Sequence, residues 1–325
     1  MTIRLSSTAF SIPTPLRPAA RLLLPLLALA GNAVAQTAPA APAAPAAPAA
    51  APDAAEKMPA PASSLRVLSF NIRYANSGDK ENRSWEVRKE LAAKLVSEDK
   101  ADLIGYQEAL RPQLDDLAQR VSGYEEIGVG REDGKTKGEY SPLWIKKDRF
   151  AVLESGTFWL SETPDVPNSK SWGNQITRIC TWAKLSEKPN GRTVYFYNVH
   201  LDHQSQEARL KGSQQVMQHI ASHTSGNPWV LTGDFNAGEN NPVITGIKAS
   251  PLQPIDSWRQ IHPDIPANES GTFHTFVGNH NEAKIDYIFV PATTKILEAA
   301  ILHDNRDGTY PSDHFPIRAT IDFKP

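Results

Sequence analysis

Ser312-Asp313-His314-Phe315-Pro316, near the C-terminus, shares its character with three stretches upstream. These are Thr232-Gly233-Asp234-Phe235-Asn236, Ile285-Asp286-Tyr287-Ile288-Phe289 and Asn198-Val199-His200-Leu201-Asp202-His203. Each ends or interrupts an apolar, strand-like run with carboxylates, amides or imidazoles. Such groups are costly to bury without partners. Taken singly, each fragment reads first as a strand-end turn or a helix cap. Taken together, they point to one site shared by the ends of several strands. Carboxylate, amide and imidazole in one place suit a hard divalent cation working with acid–base groups.

Outward from these stretches, strands and helices alternate. Leu65 to Arg73 alternates at period two and is rich in β-formers. Ser84 to Val96 has near-helical apolar spacing, with Ser84 as the expected N-cap. Ala101 to Tyr106 is a short apolar strand, and Pro112 to Val121 reads as a helix with Pro at its first position. Leu143 to Leu160 reads as two strands broken at Lys147-Asp148. Ile176 to Leu185 and Thr193 to Leu201 read as a hairpin turning at Pro189-Asn190-Gly191. Gln206 to His223 is a helix, and Trp229 to Thr232, Lys284 to Val290 and Pro316 to Phe323 are further strands. Many strands joined by both hairpins and helices imply two packed sheets flanked by helices, an α/β fold.

The N-terminus bears on the compartment. Met1 to Ala35 has Arg4, Arg17 and Arg21, no acid, an apolar run from Leu22 to Ala30, and the small-x-small site Ala33-Val34-Ala35. This pattern is that of a secretory signal peptide over residues 1–35, with the mature chain beginning near Gln36. The apolar run is too short to span a bilayer, which takes about 20 residues. Thr37 to Ala62 is almost entirely Ala and Pro, a composition that favours an extended spacer and cannot bury a core. The expected organisation is a leader over 1–35, a linker over 36–63 and one folded domain over 64–325. Localisation is expected to be periplasmic or secreted, without a transmembrane segment, and the protein is expected to be a monomer.

Cys180 is the only cysteine, so no intrachain disulfide forms; its apolar surroundings mark a buried, inert thiol. A domain this long needs no staple. The formal net charge is -2, and removal of the leader and linker takes away more basic than acidic residues. That balance leans away from long polyanions, which demand a Lys/Arg-rich face.

Six motifs stand in an order that resembles the endonuclease/exonuclease/phosphatase superfamily, the deoxyribonuclease-like fold: Ser69-Phe70-Asn71-Ile72-Arg73, Tyr106-Gln107-Glu108, Asn198-Val199-His200-Leu201, Gly233-Asp234-Phe235-Asn236, Ile285-Asp286-Tyr287 and Ser312-Asp313-His314. The resemblance covers nearly all of residues 65–325. It implies a four-layer α-β-β-α sandwich of two mixed, mainly antiparallel sheets, with the site at the mouth between them. It also implies metal-dependent hydrolysis of phosphate esters. Gly156-Thr157-Phe158-Trp159-Leu160-Ser161-Glu162-Thr163-Pro164 and Gly130-Arg131-Glu132-Asp133-Gly134-Lys135 look like a bacterial exported branch. Where that branch leads one to expect a Gly-Trp-Asp-like stretch, the chain has Ser171-Trp172-Gly173-Asn174-Gln175, in a loop expected to face substrate.

By this resemblance Glu108 is the principal ligand of Mg²⁺, for which Mn²⁺ can substitute, with Asn71 and Asp313 close by. A hard cation wants oxygen ligands and keeps several waters, leaving room for a phosphate oxygen. Asp234 orients and deprotonates the attacking water. Asn236, two residues on, is expected on the same side of an extended segment, against a phosphate oxygen or the metal. Asp286 fixes the tautomer of His314 and favours its charged form, and His200 donates to a phosphate oxygen. Arg178 can fork onto a phosphate, and Tyr140 resembles a position that reaches the site. Lys284 is a second candidate phosphate contact. His203, His219, His223, His262, His274, His280 and His303 carry the plainer reading of surface or core.

The leading expectation is an exported Mg²⁺-dependent phosphoesterase acting on a small phosphorylated molecule, a lipid head group or sugar phosphate. An extracellular nuclease is the alternative, disfavoured by the charge balance. A non-catalytic binding module is a third reading, since a fold does not fix a function, but no ligand or base is lost from the motifs. A lipase at a membrane surface calls for exposed aromatic loops, for which Trp159, Trp172 and Trp258 are the candidates.

Overall fold

Leu65–Asn71 (β1) opens the fold, and its alternating side chains organise everything around it. The computed structural model describes residues 63–323, which form one folded unit. The expected leader and all but the last residue of the expected linker lie outside these residues. In chain order follow Trp85–Asp99 (α1), Leu103–Gln107 (β2), Arg111–Arg120 (α2), Tyr124–Ile127 (β3), Leu143–Lys146 (β4), Phe150–Trp159 (β5) and Ile179–Glu187 (β6). Then come Thr193–His200 (β7), Gln206–His223 (α3), Trp229–Asp234 (β8), Pro242–Lys248 (α4), Ile255–Asp256 (β9), Ser257–Ile261 (α5), Asp286–Val290 (β10), Lys295–Ile301 (β11) and Ile317–Asp322 (β12).

The strands form two six-stranded sheets, ordered β11-β12-β1-β2-β4-β3 and β5-β6-β7-β8-β10-β9. Only β1–β2 and β7–β8 pair in parallel; the other neighbours are antiparallel. Three apolar layers hold the sandwich. Leu68, Phe70, Ile104 and Tyr106 pack under α1 and α2. Tyr197, Leu231 and Tyr287 pack under α3 and α4 with Val216, Ile220 and Ile244. Val67, Leu103 and Ile145 meet Phe196, Val230 and Ile288 between the sheets. The four-layer, mainly antiparallel arrangement expected from the resemblance is the one observed.

Period two explains where the site lies. Along β1 the residues facing the other sheet read Leu65, Val67, Ser69, Asn71; along β7 they read Val194, Phe196, Asn198, His200; along β8, Val230, Thr232, Asp234. The inter-sheet layer therefore runs from apolar, through neutral polar, to ionisable. The parallel strands β1, β2, β7 and β8 deliver their C-terminal ends to one edge. Strand β10, antiparallel to β8, begins at that edge with Asp286 opposite Asp234. The polar middle is a hydrogen-bonded seam centred on Asn198. Asn198 Nδ2 donates to the carbonyls of Tyr106 (2.6 Å) and Pro142 (3.2 Å), while its Oδ1 accepts from Gln107 Nε2 (2.7 Å) and Thr232 Oγ1 (3.0 Å). Asn198 and Gln107 thus join the sheets rather than reach the mouth.

Several local expectations change. Ser84 does occupy the N-cap position of α1, but its hydroxyl donates to Glu81 O (2.9 Å) instead of capping. Pro112 stands second in α2, behind Arg111. Lys284 is fully buried, with Nζ 2.7 Å from Asp256 Oδ2 and 3.9 Å from Glu239 Oε1, so it is a structural cation with no access to a phosphate. Trp159 and Trp258 are buried and cannot form an aromatic membrane loop; Trp172 is half-buried. Cys180 is buried, and burial pushes its thiol well up. Among the described residues no helix is long and apolar enough to cross a membrane.

Candidate active site

Arg73, Glu108 and Asn236, just past β1, β2 and β8, all have left-handed φ values, of 55°, 60° and 48°. Such backbone is costly for non-glycine residues and concentrates at functional sites. Asn236 is therefore not on an extended segment with Asp234, yet the turn brings both into one cleft. The cleft has a volume of about 480 Å³. Glu108, His200, Asp234, Asn236, Asp313 and His314 line it, together with Arg178. Asn71 and Asp286 sit behind this lining and bond to it.

Asp234 is at the centre. Its Oδ1 accepts from the Asn236 N–H at 2.9 Å, and its Oδ2 accepts from Asn71 Nδ2 at 3.0 Å. Burial, with Asp286 and Glu108 nearby, pushes its carboxyl up to about 7 against the pull of His314. His314 Nε2 lies 3.8 Å from Asp234 Oδ2, while Nδ1 lies 2.9 Å from Asp286 Oδ2. Burial pulls the His314 imidazole down, but Asp286, Asp234 and Asp313 outweigh it and lift it to about 10. His200 differs: burial, reinforced by Arg178 and Arg131, holds it well below the usual range and hence neutral. Its Nε2 is 3.1 Å from Asn236 Nδ2 and 3.5 Å from Asp234 Oδ2. His200 and His314 therefore take opposite charge states, set by which one faces a carboxylate at hydrogen-bond distance.

Glu108, Asp234 and His314 each offer a ligand atom within 4.8 Å of the others. His314 is held as a cation, which removes its lone pair, so the oxygen donors are the carboxylates. Burial and Glu108 push Asp313 up as well. Glu108 thus raises the proton affinity of both Asp234 and Asp313, a repulsion that a hard divalent cation would relieve. Asn71, expected at the metal beside Glu108, meets the carboxylates through its amide nitrogen. Its Oδ1 accepts from the Arg73 N–H at 3.0 Å, which fixes the amide and turns Nδ2 towards Glu108 (3.2 Å) and Asp234 (3.0 Å). Through Nδ2, Asn71 orders the two carboxylates.

Tyr140 is also placed elsewhere. It is 2% exposed, its hydroxyl donates to Lys135 O at 2.9 Å, and it is absent from the cleft wall. Its neighbour Glu139 does line the cleft, gripping Arg131 through both oxygens at 2.6 and 2.8 Å. Arg178 is buried in the wall, with Nη2 2.8 Å from His203 Nδ1. His203 thus joins the cleft instead of keeping the plainer reading given to it. Its place three residues beyond His200, after the same strand, is the signal that could have found it. Arg131 and Glu139 lie in and just after a stretch quoted for its resemblance, but spacing alone does not bring them to Arg178.

The comparisons agree with this architecture. The family model for the Endonuclease/Exonuclease/phosphatase family matches residues 68–314. A family protein from Bacteroides thetaiotaomicron is 35% identical with a TM-score of 0.75, over 80% of this chain and 95% of that one. The mannosyl-6-phosphatase Bt3783 of the same organism is 36% identical with a TM-score of 0.73, over 80% and 100%. Two uncharacterised proteins of Acanthamoeba polyphaga mimivirus are 25% and 26% identical over 211 and 190 residues. The chain matches 30% of the length of the first and 68% of the second. The chain belongs to the endonuclease/exonuclease/phosphatase family, whose members are hydrolases of phosphate esters.

Proposed function

We propose that this chain is a Mg²⁺-dependent phosphoesterase acting on a small phosphorylated molecule, with a sugar phosphate as the favoured class. The observation that carries this reading is the buried Asp234 carboxylate, anchored through both oxygens and poised near pH 7 beside a charged His314. A base is most effective when its proton affinity lies near the working pH. In this reading Asp234 accepts a proton from the water that attacks phosphorus. Asn236 and His200 hold non-bridging oxygens of the phosphate. His314, kept positive by Asp286, offsets the charge that gathers on those oxygens as the ester bond breaks. Glu108 and Asp313 would hold the cation, which when bound supplies electrostatic stabilisation of the phosphate. The 36% identity to a mannosyl-6-phosphatase supports a sugar phosphate over a polymeric substrate.

The test is hydrolysis by the purified chain, with Mg²⁺, with Mn²⁺ and with chelator, across sugar phosphates, phospholipids and nucleic acids. Metal-dependent release of phosphate from a sugar phosphate is the expected result. Activity confined to nucleic acid, or unaffected by chelator, overturns the reading. We further propose that the chain is exported, on the strength of Arg4, Arg17 and Arg21 ahead of an apolar run and Ala33-Val34-Ala35. N-terminal sequencing of the native protein should find a start near Gln36; an intact Met1 would contradict export by this route.

A further inference from the structure

Arg88, near the start of α1, is a fully buried cation that gives its protons to carbonyls rather than to carboxylates. Nε donates to Arg83 O (2.7 Å), Nη1 to Ile72 O (2.9 Å) and Pro311 O (2.8 Å), and Nη2 to Arg73 O (3.2 Å). Burial lowers the proton affinity of the guanidinium to about 10, which still leaves it charged at neutral pH. A buried charge with no counter-ion at hand is costly. Apolar side chains of similar volume often replace buried charges with no loss of stability. Stability therefore does not account for a guanidinium at this position, and the carbonyls it holds are where to look.

Those carbonyls belong to the segments that carry the site. Ile72 and Arg73 follow Asn71 at the end of β1, and Pro311 precedes Ser312-Asp313-His314. The same two segments are fastened a second time by Ser312 Oγ, which donates to Asn71 O at 2.7 Å. The guanidinium also lies 5.3 Å from the ring centre of Phe276. That ring belongs to the loop whose Phe273 lines the cleft, 4.9 Å from His314 ring to ring. Arg73 has a left-handed φ of 55°, and such strain persists only where the surroundings hold it. Its carbonyl is held by Arg88 and by Gln113 Nε2 (3.0 Å), and its N–H goes to Asn71 Oδ1 (3.0 Å). That last contact turns Asn71 Nδ2 to Glu108 and Asp234. A chain of contacts thus runs from Arg88 through the Arg73 backbone and the Asn71 amide to two cleft carboxylates. A second branch runs through Pro311 O to the segment bearing Asp313 and His314.

We propose that Arg88 is a positioning residue of the cleft: its fork locks the Asn71–Arg73 turn to the Pro311–His314 segment and so sets Glu108 and Asp234 in place against Asp313 and His314. Arg88 does not line the cleft, so it acts only through the groups it holds. Three nitrogens in one plane hold four carbonyls at once, which a lysine ammonium, with three donors on a single atom, cannot match. The consequence for turnover rests on the phosphoesterase reading; the consequence for Mg²⁺ affinity is independent of any substrate. Asn236 and His200, assigned to the phosphate, belong to the other sheet and are not fastened by Arg88.

The experiment compares the full wild-type chain with Arg88→Met, which removes every donor, and Arg88→Lys, which keeps the charge without the fork. Turnover of mannose 6-phosphate is measured with saturating Mg²⁺ well below each Tm, and Mg²⁺ affinity by calorimetry without substrate. Both variants should lose about 10- to 100-fold in kcat, the scale of a small misplacement of reacting groups. Mg²⁺ affinity should fall at least about tenfold, as when outer partners of a metal site are lost. KM should stay within about threefold of wild type, since the phosphate contacts are untouched. A lower Tm alone, with kcat per folded molecule and Mg²⁺ affinity unchanged in Arg88→Met, overturns the proposal. Wild-type values in Arg88→Lys overturn it in favour of charge alone, and a raised KM with kcat kept overturns it in favour of substrate binding. Wild type inactive on mannose 6-phosphate and on the other esters named above sinks the phosphoesterase reading, and calorimetry then still decides the role of Arg88. If neither Arg88 variant folds, Ser312→Ala decides, because it cuts the same joint at its other fastening. Loss of kcat with KM kept supports the joint; wild-type kcat and Mg²⁺ affinity overturn it.

Discussion

His314 Nδ1 lies 2.9 Å from Asp286 Oδ2, and the register of β10 on β8 puts Asp286 directly opposite Asp234. One imidazole is thus held between two carboxylates that face each other across a strand pair. Burial opposes its charge, yet Asp286 and then Asp234 lift it to about 10. Asp286→Asn keeps the shape and removes the larger of these two attractions. We expect turnover to fall by about 10² or more, and the alkaline limb of the pH–rate profile to move down from near pH 10. The sign for stability is fixed too. A raised imidazole stabilises the fold fully below its ordinary value of about 6.5, and that contribution is lost as pH rises to about 10. Melting curves of metal-free wild type should show this decline between those limits, and the variant should show it at lower pH. A variant with an unmoved alkaline limb would remove His314 from the role assigned to it.

Asp234→Asn should lower turnover by about 10²–10⁴, the range typical of a general base. Substrate affinity should be largely kept, because the phosphate contacts assigned to Asn236 and His200 remain. Steady-state kinetics on a sugar phosphate measure both. Near wild-type turnover would take the water-activating role away from Asp234.

Glu108→Gln should weaken Mg²⁺ binding by more than about tenfold while the fold survives, since one anionic oxygen is lost from a site for a hard cation. Glu108 reaches out of the seam and is held only by Asn71 Nδ2 (3.2 Å) and the Tyr74 N–H (3.2 Å), so little packing depends on it. Calorimetric titration with Mg²⁺ is the check, and an unchanged affinity would exclude Glu108 as a ligand.

Gly105 marks a close approach of the two sheets in the polar seam. A Cβ there would collide with Thr232 Oγ1 and Asn198 Oδ1. Gly105→Ala should therefore destabilise the domain by about 1–3 kcal/mol, the range for overpacking a well-filled interior. Thermal melting should show a lower Tm; an unaltered Tm would mean that the seam yields more readily than its four hydrogen bonds to Asn198 imply.

The strands that build the site were legible because their alternation is strong. Leu65 to Asn71 and Thr193 to His200 each keep one face apolar until the last residues, where polar groups take over. The weaker elements were not. Strand β11, Lys295–Ile301, is an edge strand whose faces are mostly half-buried, so its sequence lacks a clean period. Helix α4 has seven residues, too few to show one, although Asn241 caps it and Pro242 begins it. In the cleft, the groups at strand ends could be read as one cluster because the strands share an edge. The grouping of Arg131, Glu139, Arg178 and His203 depends on three loops meeting, which no spacing encodes. The orientation of Asn71 was not legible for another reason: an amide offers oxygen or nitrogen to a site, and it is the Arg73 N–H, 3.0 Å from Oδ1, that turns Nδ2 to the carboxylates.

Salt dependence separates a small substrate from a polyanion. Each phosphate neutralised by a basic side chain contributes a slope of about -0.7 to -0.9 to the log–log plot of affinity against salt. In this cleft Arg131 is bound to Glu139, Arg73 lies 3.1 Å from Asp79, and Arg178 faces Asp202. Lys284, which the sequence suggested as a second phosphate contact, is buried against Asp256. No track of unpaired cations leads along the cleft among the described residues. Inhibition or KM measured from low to moderate salt should therefore give a slope shallower than about -1 for the physiological substrate. Efficient degradation of plasmid or RNA at low salt, with a slope several times steeper, would place a nuclease ahead of the small-molecule phosphoesterase.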